Sequence, residues 1–190
     1  VGFLAFFWRL ALTTGTGSIF GFLVAREAYD AAIMAPMFIV MSFSYGLAFF
    51  ILTLMSAFIW GDREIGDLRM NKLKNLLGVF VGAVFFFTVV YHLTNLYITQ
   101  HHGFERFVLL DGGIYTLMFW GGQMLIGTLI PIALLYAPMF AKSRYSIATA
   151  SFLVLVGGFF QLYVIVIGGQ AYPMSLFPGM EVVESSFYDG

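Results

Sequence analysis

From Leu76 to Thr99 runs an apolar stretch long enough to cross a bilayer, and it carries a single ionisable residue, His92. Thr88, His92, Asn95 and Thr99 follow one another at steps of four, three and four residues, which puts them on one helical face. An imidazole and a carboxamide are costly in hydrocarbon, so this face is expected to turn toward other helices or a wet cavity. Two roles fit these residue types. His92 and Asn95 can hydrogen-bond to neighbouring helices and hold a bundle together, or, with Tyr91 beside them, they can line a site that binds a polar ligand and moves its protons.

Further polar groups lie in later apolar stretches. Gln123 precedes Gly127 and Pro131 by successive turns, and Gln161 lies between Gly157 and Gly168. Each reads first as an interhelical hydrogen bond and second as part of a buried polar interior shared with the histidine stripe. Arg9 is long enough to snorkel to an interface and needs no function. No acidic residue falls inside any apolar stretch, which counts against an ion-coupled transporter.

The chain has no cysteine, so it holds no disulfide, no iron–sulfur cluster and no thiolate zinc site. Bis-histidine haem is not expected either, because His92 alone lies within a span while His101 and His102 fall in a connection. No metal ligands and no catalytic residues are assigned, and any redox metal is expected in a partner.

The elements that must position these groups follow from composition. Hydrophobic residues make up 61% and charged residues 10%, with mean hydropathy +0.92. Soluble domains carry about a quarter charged residues, so the chain is expected to be an all-α integral membrane protein in the cell membrane. A formal net charge of −1 with scattered Lys and Arg excludes a nucleic-acid footprint. Five spans are expected at about 1–25, 32–60, 76–99, 114–136 and 147–169, forming one transmembrane domain with a tail at 170–190. Val1 in place of Met and the turn-like end at Asp189-Gly190 suggest a piece of a longer chain. Gly17 and Gly21, one turn apart, have the spacing of a close helix contact. Pro36 falls in the first turns of its span, Trp60 at an interface position, and Pro131 is expected to distort its helix.

Basic residues orient the protein. Arg63, Arg69, Lys72, Lys74, Lys142 and Arg144 flank the second and fourth connections, against Arg26 and Arg106 on the other side and none in the tail. The positive-inside rule makes the first set cytoplasmic, so 26–31, 100–113 and the tail are expected to be exoplasmic. His92 then lies about 10 Å below the exoplasmic end of its helix at ~1.5 Å per residue.

The run Thr16-Gly17-Ser18-Ile19-Phe20-Gly21-Phe22-Leu23-Val24-Ala25-Arg26, then Ala35-Pro36-Met37-Phe38-Ile39-Val40-Met41-Ser42 and Tyr45-Gly46, resembles the helix, turn and helix of the NrfD/polysulfide reductase membrane subunits. Gly168-Gly169-Gln170-Ala171-Tyr172-Pro173 and Leu176-Phe177-Pro178-Gly179 resemble that family's closing loop, most of all in the branch associated with dissimilatory sulfite reduction. The resemblance implies a haem-free subunit of a respiratory oxidoreductase complex that exchanges electrons and protons with a quinone, expected as menaquinone. It also implies an exoplasmic iron–sulfur subunit as electron partner. Where family members often carry a histidine this chain has Gly15 between Thr14 and Thr16, and it has Tyr29-Asp30 in place of a Trp-His pair.

The expected quinone or proton-path residues are therefore Tyr91, His92, Asn95, Thr14, Thr16, Gln123 and Gln161. Arg26, Asp30, Gln170 and Phe177 are the expected partner contacts. Two other functions stand beside this one, a proton-conducting or transporter-like subunit and a structural membrane anchor.

Overall fold

In hydrocarbon a chain must satisfy its backbone polar groups internally, and this one does so as helices. The computed structural model describes residues 2–62, 65–140 and 143–173. Five helices in it are long and apolar enough to cross a membrane: α1 (Gly2–Gly21), α2 (Met34–Trp60), α3 (Asp67–Tyr97), α5 (Ile114–Tyr136) and α6 (Arg144–Ala171). The short helix α4 (His102–Arg106) lies between α3 and α5. The protein is an all-α, multi-pass integral membrane protein.

Helix α1 packs chiefly on α2, α2 on α3 and α6, and α5 on α6. Small residues set the closest approaches. A Cβ on Gly157 would overlap the Gly127 Cα, so α5 and α6 cross backbone to backbone at this pair. A Cβ on Gly17 would meet the Ala35 Cα at 2.7 Å and the Met34 carbonyl oxygen at 2.8 Å, and one on Gly21 the Ala31 carbonyl oxygen at 3.0 Å, so this face of α1 lies close against the start of α2 and the turn before it. Outward faces carry large apolar side chains such as Phe22 and Phe159, as lipid contact requires.

Helix α3 has 31 residues and begins at Asp67, so Arg69, Lys72 and Lys74, expected in a connection, form its first turns. Arg144, at the start of α6, donates to the Ile65 carbonyl at 2.8 Å and to Asp67 Oδ1 at 2.8 Å, which ties the foot of α6 to that of α3. In α5 the residues Met118–Leu129 wind as a π-helix immediately before Pro131. Proline lacks an amide donor and crowds the carbonyl four residues back, and wider winding accommodates both.

The interior divides in two. One buried cluster, with Met34, Met37, Phe38, Tyr91, Phe104 and Phe119, lies at the end bearing the α1–α2 turn and α4. The other, with Ala48, Ile51, Leu77, Leu135, Ile147 and Val154, lies at the end bearing Ile65 and Met70. Polar side chains of α2, α3, α5 and α6 meet between them.

Candidate functional site

The connection after α3 is not an open loop. Helix α3 stops at Tyr97, Ile98 is extended, and a 3-10 turn at Thr99–His101 leads into α4 and a π turn at Phe107–Asp111. His101, Phe104, Glu105 and Val108 recur at helical spacing and all four are buried, so one face of this segment folds back against the bundle. No acidic residue lies within an apolar span, as the sequence indicated, but the connection expected as a loop carries one into the interior. Glu105 has 0% exposure and sits against the histidine stripe.

Burying a carboxylate costs less when donors converge on it. His92 Nδ1 lies 2.7 Å from Glu105 Oε2, and Asn95 Nδ2 donates to Glu105 Oε1 at 2.8 Å. That bond fixes the amide orientation of Asn95, so its Oδ1 is an acceptor and His101 Nδ1, at 3.2 Å, is the donor to it. With Glu105 ionised, His92 Nδ1 carries the proton and Nε2 is left for a second partner. The His92 ring meets Phe119 edge-on at 4.7 Å, and Phe119 meets Trp120 edge-on at 5.1 Å. Three elements thus build the site: α3 supplies His92 and Asn95, α4 with its preceding turn supplies Glu105 and His101, and α5 supplies the aromatic wall.

One turn below, Thr88 joins three helices. Its hydroxyl donates to the Val84 carbonyl at 2.9 Å and accepts from Gln161 Nε2 at 3.2 Å and Gln123 Nε2 at 3.5 Å. Gln161 Oε1 in turn accepts from the Tyr45 hydroxyl of α2. The two glutamines therefore make the interhelical hydrogen bonds their positions suggested. Between this knot and His92 is a cavity of about 20 Å³ lined by Thr88, Tyr91, His92, Phe104, Gln123 and Gln161 among others. That is room for about one water, and a quinone ring does not fit inside it.

The structure brings together Tyr91, His92, Asn95, Gln123 and Gln161. Tyr91 is buried and donates to the Ala28 carbonyl at 2.7 Å, pinning the α1–α2 turn. Thr14 and Thr16 stand apart on α1, donating to the carbonyls of Leu10 at 2.7 Å and Leu12 at 3.0 Å in their own helix. Thr99 is exposed and outside α3, so it leaves the stripe.

Of the expected partner contacts, Arg26 Nη1 donates to the carbonyls of Gly169 at 3.3 Å and Gln170 at 2.9 Å, where a helix C-terminus leaves acceptors unpaired. Asp30 is half-buried and Gln170 exposed. Phe177 lies outside the described residues. Nearby, Tyr29 donates to the Val166 carbonyl at 2.9 Å, and burial, opposed by Arg26, pushes its hydroxyl above the ordinary phenol range. Among the described residues no group of His, Asp or Glu has the arrangement of a metal site. Sequence reasoning missed Glu105, whose signal was the four-residue face from His101 to Val108.

Two curated relatives align along most of the chain. The Hdr-like menaquinol oxidoreductase integral membrane subunit of Archaeoglobus fulgidus is 29% identical over 183 residues, covering 94% of this chain and 45% of the relative. A selenate reductase subunit from Mesobacillus selenatarsenatis is 27% identical over 172 residues, covering 90% of this chain and 39% of the relative. The chain thus spans less than half the length of these relatives. No solved structure matches. The family model for polysulphide reductase, NrfD, matches residues 1–174, and with five membrane-spanning helices to go with it the chain belongs to that family of integral membrane proteins.

Proposed function

We propose that this chain is part of a quinone-interacting membrane subunit of a respiratory oxidoreductase complex, and that His92 and Glu105 are its proton-exchanging pair. The observation that carries the proposal is the 2.7 Å contact between His92 Nδ1 and a fully buried carboxylate. A relative that bears the name of a menaquinol oxidoreductase subunit supports the quinone class. Quinol oxidation releases two protons and two electrons. In that direction His92 Nε2 takes one hydroxyl proton from the quinol, Glu105 stabilises the imidazolium that forms, and once that proton has passed on to water His92 takes the second in the same way. In the reverse direction the same groups return it. His92 has 13% of its side chain exposed, so the ring docks where His92 emerges beside Phe119 and Trp120 rather than in the interior.

The electrons must leave the chain. It has no cysteine with which to hold a cluster, and an iron–sulfur partner over the α1–α2 turn, the α4 segment and the residues that follow α6 meets that need. The test is turnover of a quinol analogue by the intact complex, with His92→Ala against Thr88→Val. Loss in the first variant alone is the expected result. Normal turnover in both, with the analogue bound elsewhere, sinks the proposal.

A proton-conducting role is the second reading, and Glu105 favours it by placing a carboxylate within the bundle.

A further inference from the structure

Ser44 on α2 is 1% exposed, and its hydroxyl has no hydrogen-bond partner among the described residues. An orphaned buried hydroxyl is costly, and native interiors answer it with protein or with water. The group lines a cavity of about 10 Å³ with Tyr45, Gln123, Thr128 and Gln161, close to the least space that admits a water, and with the several polar partners a water requires. The π winding of α5 shapes this wall, since it places Thr128 Oγ1 on the Gln123 carbonyl, five residues back, at 3.1 Å. Gln123 and Gln161 also line the cavity beneath His92, so the two spaces share a polar partition.

Among the described residues the far end is closed. Val81 and Val154 line the Ser44 cavity and belong to the second apolar cluster. Beyond them lie Ala48, Ile51, Leu77, Leu135 and Ile147, all buried. The nearby Ser151 hydroxyl is already bonded to the Ile147 carbonyl at 2.8 Å.

We infer that ordered water occupies a polar file running from His92 past Thr88 to Ser44, and that this file is blind, ending on the apolar cluster. The water site stands without any quinol. Its consequence does rest on the function proposed above: protons taken up at His92 exchange on the Glu105 side, and the described residues form no through-path for them.

Radiolytic hydroxyl labelling of the intact complex tests this, because radicals formed from ordered water oxidise the side chains beside it even where bulk water does not reach. Tyr45 and Tyr91 are expected to be modified. Ile51→Met sets a more reactive thioether in the apolar cluster at nearly conserved volume, and it is expected to stay unmodified. In Ser44→Val the Tyr45 modification is expected to be lost while that of Tyr91 persists, and Ser44→Ala serves if valine impairs assembly. Unmodified Tyr45 in the parent protein means a dry file and overturns the inference. Modified Met at position 51 means water passes through, which overturns the blind end. Tyr45 labelling that survives both Ser44 variants removes water from Ser44. None of these outcomes depends on quinol turnover, so the water file and the quinone site fail separately.

Discussion

Glu105 and His92 are thirteen residues apart in the chain and 2.7 Å apart in space, joined because α4 turns back into the bundle instead of looping away from it. A carboxylate held on one imidazole nitrogen fixes which face of the ring is offered to a ligand. The carboxylate is held in turn by Asn95, whose other end meets His101. The quartet holds His92 in place whether or not it also carries the proton exchange proposed above, and substitutions can separate these roles.

Glu105→Gln keeps the size of the side chain and an acceptor for Asn95 while removing the charge that stabilises an imidazolium. Quinol turnover is expected to fall by about two orders of magnitude or more, in line with the ~10²- to 10⁴-fold contribution of positioned acid–base groups, with assembly intact. Turnover per assembled complex, measured with a soluble quinol analogue, checks it.

Asn95→Leu keeps approximate volume but deprives Glu105 of one donor and His101 of its acceptor. The cost is expected at about 1–3 kcal/mol, because buried polar groups are left unpaired. Thr88→Val, which cuts two neutral interhelical bonds, is expected to cost less, at about 0.6 kcal/mol per bond. Thermal inactivation of the detergent-purified complex ranks the two, and a greater loss in Thr88→Val would contradict the order.

Gly157→Ala is expected to loosen the α5–α6 crossing, since its Cβ would overlap the Gly127 Cα, where only backbone can yield. Overpacking of this kind costs about 1–3 kcal/mol. Gly82→Ala on α3 is the control: nothing lies within 4 Å of its added Cβ, and alanine favours the helix by up to about 1 kcal/mol. Opposite shifts in unfolding temperature are the expected result.

The positive-inside orientation is tested with cysteines and an impermeant thiol reagent, on a chain that offers no native thiol. Lys72→Cys is expected to resist labelling from outside and Gln100→Cys to accept it. Gln100 is preferred to His101 because His101 is buried. The reverse pattern inverts the topology.

The spacing of Thr88, His92 and Asn95 was enough to put them on one inward face, and the small residues at Gly17 and Gly21 were enough to mark a helix contact, because both follow from helical periodicity alone. Thr99 left the stripe because α3 ends two residues earlier, which no periodicity foretells. Glu105 was hidden for a different reason. A short polar connection between two long apolar spans reads as a loop, and its buried face of His101, Phe104, Glu105 and Val108 covers less than three turns. Its partner is His92 on another element, and that pairing is a tertiary fact. Thr14 and Thr16 were proposed through likeness to a motif, and the packing of α1 on α2 leaves them outside the cluster.

The length of α3 bears on where the chemistry sits in the lipid. Its 31 residues extend about 46 Å at ~1.5 Å per residue, against a hydrocarbon thickness of about 30 Å. The charged residues Arg69, Lys72 and Lys74 are all in its first turns, so the surplus is expected at the foot, at the level of lipid headgroups. On that expectation the helix acts as a depth gauge, its basic end moored to one headgroup layer and His92 set at a fixed height beneath the other. Deleting one turn between Lys74 and Thr88 would move that histidine by about 5.4 Å relative to any ligand arriving within the bilayer.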